Sequence, residues 1–488
     1  MKGKGQEKLK TGETVGFRGL VKMIVMKFGG TSIGDGKRIA NVAKLVREEP
    51  RKKVVVVSAL GGVTDKLVNF ANNVVNLPTA VIEQETDKFY NEILAQHTKA
   101  AEEAIDDEHI LEGVVSNIMD LANKLKIALL GVGYLEDLSA KSLDYILSFG
   151  ERFSVVILTG SLNSMGVKSC PLTGYEAGIT TDSFFGRARP IHKKLQKDIK
   201  VKLQPLIDQG FTPVVAGFIA ADETASITTL GRGGSDYTAS LIGRYLDVEE
   251  VQIWTDVDGI LSTDPRIVQN AKLISTLSYA EAMDLAYFGA RVIHSKMIEP
   301  AMIAGIPVRV KNTFNPKCDG TLIVKKQEKI EGVVKAVAVA KNVVIVNLQG
   351  VGMAETPNIA GRIFSRLGES NINIIMISGS SEANLSFVVS KSSLQQTMEL
   401  IENELKNSGL RDVEILDEVC IITVVGAGMH GTKGIAAKIF DTIAKENVNI
   451  MMIAQGSSEV NIAFMIKEKD AEKVINAVHK RFIENNGV

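Results

Sequence analysis

Only three cysteines occur in the 488 residues, Cys170, Cys318 and Cys420, and they lie far apart. Thiols that few and that scattered build neither a disulfide framework nor a thiolate zinc site, and they point to a reducing compartment, the cytoplasm. The six histidines show no ligand spacing, so no metal centre is expected from them either. Lys plus Arg number 56 against 57 for Asp plus Glu, a formal charge of -1. No segment has the basic excess that nucleic acid or an anionic membrane demands. Apolar runs long enough to cross a bilayer, roughly 18 to 20 residues, are missing too. What is present, 45% hydrophobic and 23% charged residues, is ordinary for a globular protein, and the length suits two to four domains.

The chain is organised around Thr228 to Tyr237, TTLGRGGSDY. An apolar stretch, Val214 to Ile227, precedes it and a segment of helical character, Thr238 to Leu246, follows. A strand that gives way to a Gly-rich turn and then a helix aims backbone N–H groups and a helix N-terminus at whatever lies in the turn, which suits an anion. Gly231, Gly233 and Gly234 allow close approach of a ligand, Arg232 offers a planar fork for a carboxylate or phosphate, and Asp236 adds a carboxylate at the helix start. A plain capped turn with an exposed Arg is the bland alternative for this stretch alone.

Residues 1–22 hold six basic side chains, five Gly and few apolar residues, and read as a disordered tail or an over-extended start. Met23 to Phe28 is a short apolar strand that delivers KFGGTS, Lys27 to Ser32, at its C-terminal end. Open α/β sheets place ligands at such ends. Gly29 and Gly30 expose backbone N–H groups there, and Lys27 supplies a compact positive charge. Helical spacing from Lys37 to Glu49 and the β-branched run Lys53 to Val57 complete a βαβ unit, followed by the small-residue loop SALGGVT, Ser58 to Thr64.

Helices fill Lys66 to Leu130, and a further helical pattern, Ser139 to Gly166, holds SFGER, with Glu151 and Arg152 in its apolar middle. Charges in such a place are usually partnered, so an ion-pair role competes with a functional one. Val251 to Trp254 forms a strand ending in TDVDG, Thr255 to Gly259, with TDPR at Thr263 to Arg266. Ser278 and Glu281 have capping-box spacing and open a helix through Phe288 that Gly289 stops. Arg291 follows that stop, and Pro307 to Lys311 is the last strand of the domain.

Beyond Lys325 the chain repeats itself. GVGM at Gly350 to Met353 recurs as GAGM at Gly426 to Met429, NINI at Asn371 as NVNI at Asn447, and SSEANLSF at Ser380 as SSEVNIAF at Ser457. An offset of about 76 residues suits two copies of a small βαββαβ domain with helices on one face of an antiparallel sheet. The expected architecture is therefore an α/β chain: an open, mainly parallel sheet sandwiched by helices over 23–330, then two such repeats over 331–410 and 411–488.

KFGGTS, SFGER, TTLGRGGSD, WTDVDG with TDPR, the segment after GAR and the tandem tail together resemble the aspartokinases of the amino acid kinase superfamily, whose C-terminal repeats are paired ACT domains. The resemblance covers Met23 to the C-terminus. It implies Mg-dependent transfer of the γ-phosphoryl group of ATP to the β-carboxylate of L-aspartate, with the metal held mainly by the nucleotide and no metal site of the protein's own. It assigns Lys27 and Asp236 to catalysis and Arg232 and Glu151 to the α-carboxylate and α-ammonium of the substrate. Thr64, Gly233, Gly234 and Ser235 add substrate contacts. Gly29, Gly30, Thr255, Asp256, Arg266, Arg291 and Val292, with Lys27, lie on the nucleotide side. Two positions depart from the family pattern: Arg291 stands where Lys is usual and Leu261 where several relatives have Tyr. The alternatives weighed are a superfamily kinase for another acidic substrate and a non-catalytic ACT sensor. At this length a bifunctional enzyme joined to homoserine dehydrogenase is not expected.

Paired ACT domains imply an amino-acid effector and at least a homodimer, or a dimer of dimers. Buried lysine needs a carboxylate at its ε-ammonium. Lysine-sensitive relatives place one in the strand after the first ACT helix, whereas Asn371 to Ile377 here, and its counterpart Asn447 to Ile453, contain none. Asn373, Asn449, Gln455 and Asn461 suit a neutral hydroxyl, and the loops ending at Met353 and Met429 could hold an α-carboxylate through backbone N–H groups. The expected effector is threonine rather than lysine.

Overall fold

The computed structural model describes residues 23–289, 293, 295–325, 333–349, 359–381, 384–408, 412–456 and 458–485. The tail over 1–22, Arg291, Val292 and the loop containing Met353 lie outside the described residues.

The N-terminal region is built on strands β1 (Met23–Phe28), β2 (Lys52–Val57), β3 (Ser169–Leu172), β5 (Thr212–Ala216), β8 (Glu250–Thr255), β9 (Thr276–Ser278), β10 (Val308–Asn312) and β11 (Thr321–Val324). They form one eight-stranded sheet in the order β3-β5-β2-β1-β8-β10-β11-β9, parallel except for the β10–β11 pair. At its centre β1 runs beside both β2 (Phe28 opposite Val57) and β8 (Phe28 opposite Trp254). The three strands therefore end level.

Five of the six β1 residues are buried, as a parallel strand covered on both faces requires. Ile24, Met26 and Phe28 face one core with helices α1 (Gly36–Glu48), α2 (Val63–Val74), α3 (Thr79–Ala104), α4 (Glu108–Leu135) and α5 (Ala140–Ser164). Val25 faces the other, with α6 (His192–Asp208), α7 (Gly234–Leu246), α8 (Tyr279–Tyr287) and α9 (Ser295–Ala304). Each such Val or Ile contributes about 1.5–3 kcal/mol by leaving water.

Two expectations are corrected here. Val214 to Ile227 is not one strand: Gly217 and Phe218, the latter at φ +64, turn the chain out of the main sheet after β5. The chain then enters a small sheet of β4 (Thr180–Thr181), β6 (Ile219–Asp222) and β7 (Ile227–Thr229). The Gly-rich turn hangs from β7. Nor is Pro307 to Lys311 the last strand, because β11 returns antiparallel beside β10 and closes on β9.

The repeats make one six-stranded antiparallel sheet from β12 (Ala336–Gln349), β13 (Met376–Ser381), β14 (Asn384–Ser390), β15 (Asp412–Val425), β16 (Met452–Ala454) and β17 (Asn461–Lys467). Its order is β13-β14-β12-β15-β17-β16. The repeat helices are α10 (Ile359–Glu369), α11 (Leu394–Ser408), α12 (Ile435–Lys445) and α13 (Ala471–His479). The two long central strands serve both units: Val344, Val346 and Leu348 pack into the core of the first, whereas Val334 and Val337 pack into that of the second. Packing thus runs across the sequence boundary placed at 410. The edge strands begin later than expected, at Met376 and Met452, because Asn371 and Asn447 take left-handed backbone after the helices and the chain straightens only several residues on.

Val268 of the N-terminal region packs into the core of the second unit, and the Val337 N–H bonds the Ser262 carbonyl at 2.8 Å. Helix α8 opens with the expected capping box of Ser278 and Glu281. No described helix is long and apolar enough to cross a membrane.

Candidate active site

Loops from the C-terminal ends of β1, β2, β5, β7 and β8 meet above the main sheet. Gly29 N donates to Trp254 O at 3.2 Å, Ser58 N to Phe28 O at 3.2 Å and Gly217 N to Val57 O at 2.9 Å, so the loop origins are tied together by backbone alone. Ser32, fully buried, adds a hydroxyl contact of 2.7 Å to Thr313 past the end of β10. A cavity of about 360 Å³ opens between the first two loops, lined by Gly30, Ala59, Gly61, Gly62 and Thr64 among others. A Cβ on Gly30 would lie 3.1 Å from the Ala59 carbonyl oxygen, so the loops close up only because residue 30 has no side chain.

Lys27, at the penultimate position of β1, reaches across to the first turn of α7, where its Nζ lies 2.5 Å from Asp236 Oδ1. Both side chains are largely buried. Helix α7 is entered through Gly233 at φ +73, a conformation that costs little only for glycine. A Cβ on Gly217 would come within 2.7 Å of the Ser235 Cβ, so the start of α7 is pressed against the β5 exit. Arg232 projects exposed from the turn, with no protein partner among the described residues.

Glu151 enters from α5. It is 3% exposed, and its Oε1 accepts a hydrogen bond from Ala59 N at 3.1 Å, while Oε2 is buried without a hydrogen-bond partner among the described residues. Burial pushes its carboxyl up to about 8; the Ala59 N–H and the positive charge of Lys27 pull the other way. The ion pair with a neighbouring cation that its helical setting suggested is not what holds it. Arg152 instead stacks over the Phe149 ring, 4.5 Å from its centroid. A buried carboxyl with one open oxygen, near an ammonium that already has a carboxylate partner, has room in its bonding for a second cation.

Sequence reasoning missed Asp144. It lies two turns before Glu151 on the same face of α5 and is 1% exposed. Its oxygens accept from Gly186 N and Thr229 N at 2.9 Å and from Thr229 Oγ1 at 2.7 Å. Asp144 thereby locks the end of β7, and with it the turn holding Arg232, onto α5. Burial raises its carboxyl while these three donors lower it. Two acids seven residues apart in an apolar helix were the available signal.

On the expected nucleotide side, Thr255 ends β8 and Asp256 follows it, the hydroxyl of the first bonding the carboxylate of the second at 3.1 Å. Arg266 is exposed and forked onto Asp264, with Nη2 to Oδ2 at 2.6 Å. Leu261 bridges Leu273 in a short antiparallel contact. Among the described residues no group of three or more His, Cys, Asp or Glu side chains could hold a metal.

Of the expected effector groups, Asn373, Asn449 and Gln455 are exposed. The loop Gly426 to Met429 differs from expectation. The Met429 side chain is buried in the core of the second unit and its N–H bonds Gly426 O, Gly426 N bonds Val460 O, and Ala427 N bonds Glu281 Oε1 at 2.6 Å. Asn461 Nδ2 bonds Asp284 Oδ2 at 2.7 Å. Nothing in the sequence linked α8 to this loop.

Residues 22–312 match the model of the amino acid kinase family, and residues 346–405 and 422–482 each match an ACT domain. The chain is 32% identical over 470 residues to aspartokinase 1, chloroplastic, of Arabidopsis thaliana, covering 94% of this chain and 80% of that protein. It is 33% identical over 469 residues to bifunctional aspartokinase/homoserine dehydrogenase 1, chloroplastic, of Zea mays, of which it spans half the length. Among solved structures it is similar to E. coli aspartokinase III in complex with aspartate and ADP, R-state, with TM-score 0.79 at 28% identity, covering 94% of this chain and 99% of that one. The lysine and aspartate complex of that enzyme, T-state, gives 0.77 at 29% with the same coverage.

Proposed function

Because the chain belongs to the amino acid kinase family, among its aspartokinases, we propose that it transfers the γ-phosphoryl group of ATP to the β-carboxylate of L-aspartate. The observation that bears most on this reading is the unpartnered, buried Glu151 Oε2 beside the Lys27–Asp236 pair. An α-amino acid brings the ammonium that oxygen lacks, and Arg232, exposed at the mouth, supplies a fork for the α-carboxylate. The β-carboxylate is then directed towards Lys27.

The chemistry asks little of side chains as acids or bases. A β-carboxylate oxygen, ionised at neutral pH, forms a bond to the γ-phosphorus while the bond from phosphorus to the β,γ-bridging oxygen breaks. ADP leaves with that electron pair, and the product is 4-phospho-L-aspartate. Catalysis consists of alignment and fixed positive charge. Lys27 stabilises the charge on the moving phosphoryl group, and Asp236 holds the ammonium in place. Gly30 and Gly233 lie along the path, whereas the N–H groups of Gly29 and Gly234 are already bonded to Trp254 O and Gly231 O, so these two glycines give close approach rather than donors. On the nucleotide side Thr255, Asp256 and Arg266 are the described candidates, with Arg291 and Val292 proposed from sequence alone, and Mg²⁺ arrives with ATP as part of that substrate.

The proposed role is the first step towards lysine, threonine and methionine, in the cytoplasm, by a homodimer or a dimer of dimers. Feedback through the ACT units is proposed to come from threonine rather than lysine, because neither Asn371 to Ile377 nor Asn447 to Ile453 contains an acid for an ε-ammonium. An ADP-release assay with aspartate, glutamate and UMP in parallel tests the reaction, and release with glutamate or UMP alone would overturn it. Titration of activity with threonine and lysine separately tests the regulation; inhibition by lysine alone would overturn that part.

A further inference from the structure

The two repeats are alike in sequence but not in surroundings. In the second, the groups that would receive an amino acid are already engaged by the kinase region. Glu281 is fully buried, and its two oxygens accept from different backbone N–H groups. Oε2 closes the capping box, accepting from Ser278 N at 2.7 Å and Ser278 Oγ at 2.9 Å. Oε1 accepts from Ala427 N at 2.6 Å, and Lys335 Nζ lies against both oxygens, 3.2 Å from Oε1 and 3.3 Å from Oε2.

One turn on, Asp284 accepts from Asn461 Nδ2. Burial and the neighbouring Glu281 raise its carboxyl, and the Asn461 amide lowers it. A capping box needs only Oε2, so helix geometry alone does not explain why Oε1 meets a loop 146 residues away. The loop is also packed tightly from the other side, since a Cβ at Gly426 would collide with the Val333 carbonyl oxygen.

We propose that the amino-acid pocket of the second ACT unit is filled from within by the carboxylates of Glu281 and Asp284. The first makes the contact that an effector α-carboxylate would make, and the second occupies the polar side chain beside it. The second unit then serves as the anchor of α8, and effector binding is confined to the first. At its far end α8 touches that first unit, where Tyr287 Oη donates to Ile374 O and Ile375 O at 3.2 Å. Those carbonyls belong to the segment leading into β13, so a ligand that moves the segment moves a helix already fixed at Glu281.

The inference rests on the proposed reading of the ACT units as amino-acid receptors, and two arms separate their failures. Calorimetry of the full chain with L-threonine, and separately with L-lysine, should give one site per chain; two sites per chain would overturn the inference. Absence of binding by either would sink the receptor reading and leave the second arm to decide. In that arm, hydrogen exchange of the ligand-free protein should show Ala427 N–H protected, unchanged by threonine, and exchanging about tenfold faster in Glu281→Ala. Free exchange in the wild-type chain, or protection gained at 426–429 on adding threonine, would overturn it. Should Glu281→Ala fail to fold because Lys335 loses its partner, Asp284→Ala is used instead. The Asn461 side-chain amide is then read by NMR, where an unshifted signal would count against the inference.

Discussion

His479 Nε2 lies 2.9 Å from Ser262 Oγ, joining the last α-helix of the chain to the residue just before Thr263-Asp264-Pro265-Arg266. Ser262 Oγ accepts from Lys272 N at 2.8 Å, so its proton points at the imidazole. Nδ1–H of the same ring donates to Glu484 Oε1 at 3.2 Å. The neutral tautomer follows from this network. Ser262→Ala leaves the buried His479 Nε2 without its partner at the start of the nucleotide-side loop, at a cost of about 1–3 kcal/mol. The expected result is a lower Tm and an ATP KM raised several-fold with aspartate KM unchanged; equal changes in both KM values would separate this junction from the nucleotide.

Glu151, with its carboxyl held near 8 by burial, is mostly protonated in the ligand-free protein at pH 7. Binding an α-ammonium requires the ionised form, so aspartate should release close to one proton at pH 7. Its affinity should weaken by about tenfold per unit as pH falls below about 8. Calorimetry in buffers of different ionisation enthalpy measures the release, which Glu151→Gln should abolish. Linkage runs the opposite way for folding: the raised carboxyl adds stability below about pH 4.5 that disappears as pH rises through about 8.

Lys27→Ala removes the one cation on β1 that faces Asp236. Loss of a preorganised charge at a phosphoryl group should lower kcat by about two to four orders of magnitude with little change in aspartate KM. Steady-state kinetics check this, and an unchanged kcat would take Lys27 out of the reaction.

Arg232→Ala should raise aspartate KM by about tenfold or more while ATP binding stays within a factor of two, because a forked carboxylate partner is worth about 1.5–3 kcal/mol. The side chain is exposed and makes no internal contact, so Tm should not move. Calorimetry showing equal loss for both ligands would make it a phosphate contact.

His97 is buried against the Phe153 ring with its Nε2 unpartnered, and burial lowers its imidazole to about 4. The unfolded chain binds that proton near pH 6.5, so stability is full above that value. It falls by up to about 3 kcal/mol as pH drops to about 4. His479, also shifted down by burial, adds in the same direction. Denaturant melts of His97→Leu between pH 7 and 4 should show a shallower loss than the wild-type chain.

Period and punctuation made the local elements legible. The β-branched run Lys53 to Val57, the helical spacing after Lys37 and the Ser278–Glu281 cap each specify their element through nearest neighbours, and all three formed where expected. Lys27, Glu151 and Asp236 stood out because a charge in an apolar or Gly-rich setting is costly unless it has a use. The sequence by itself thus determined a mainly parallel sheet, a tandem tail and a cluster of groups suited to phosphoryl transfer. Tertiary structure decided which oxygen of Glu151 stays open, that Asp144 ties β7 to α5, and that Glu281 fills the loop at Ala427. These depend on partners 85 to 146 residues apart or on the direction of a single carboxylate oxygen. Local propensity contains no such information, because chain packing sets which buried acceptors find donors.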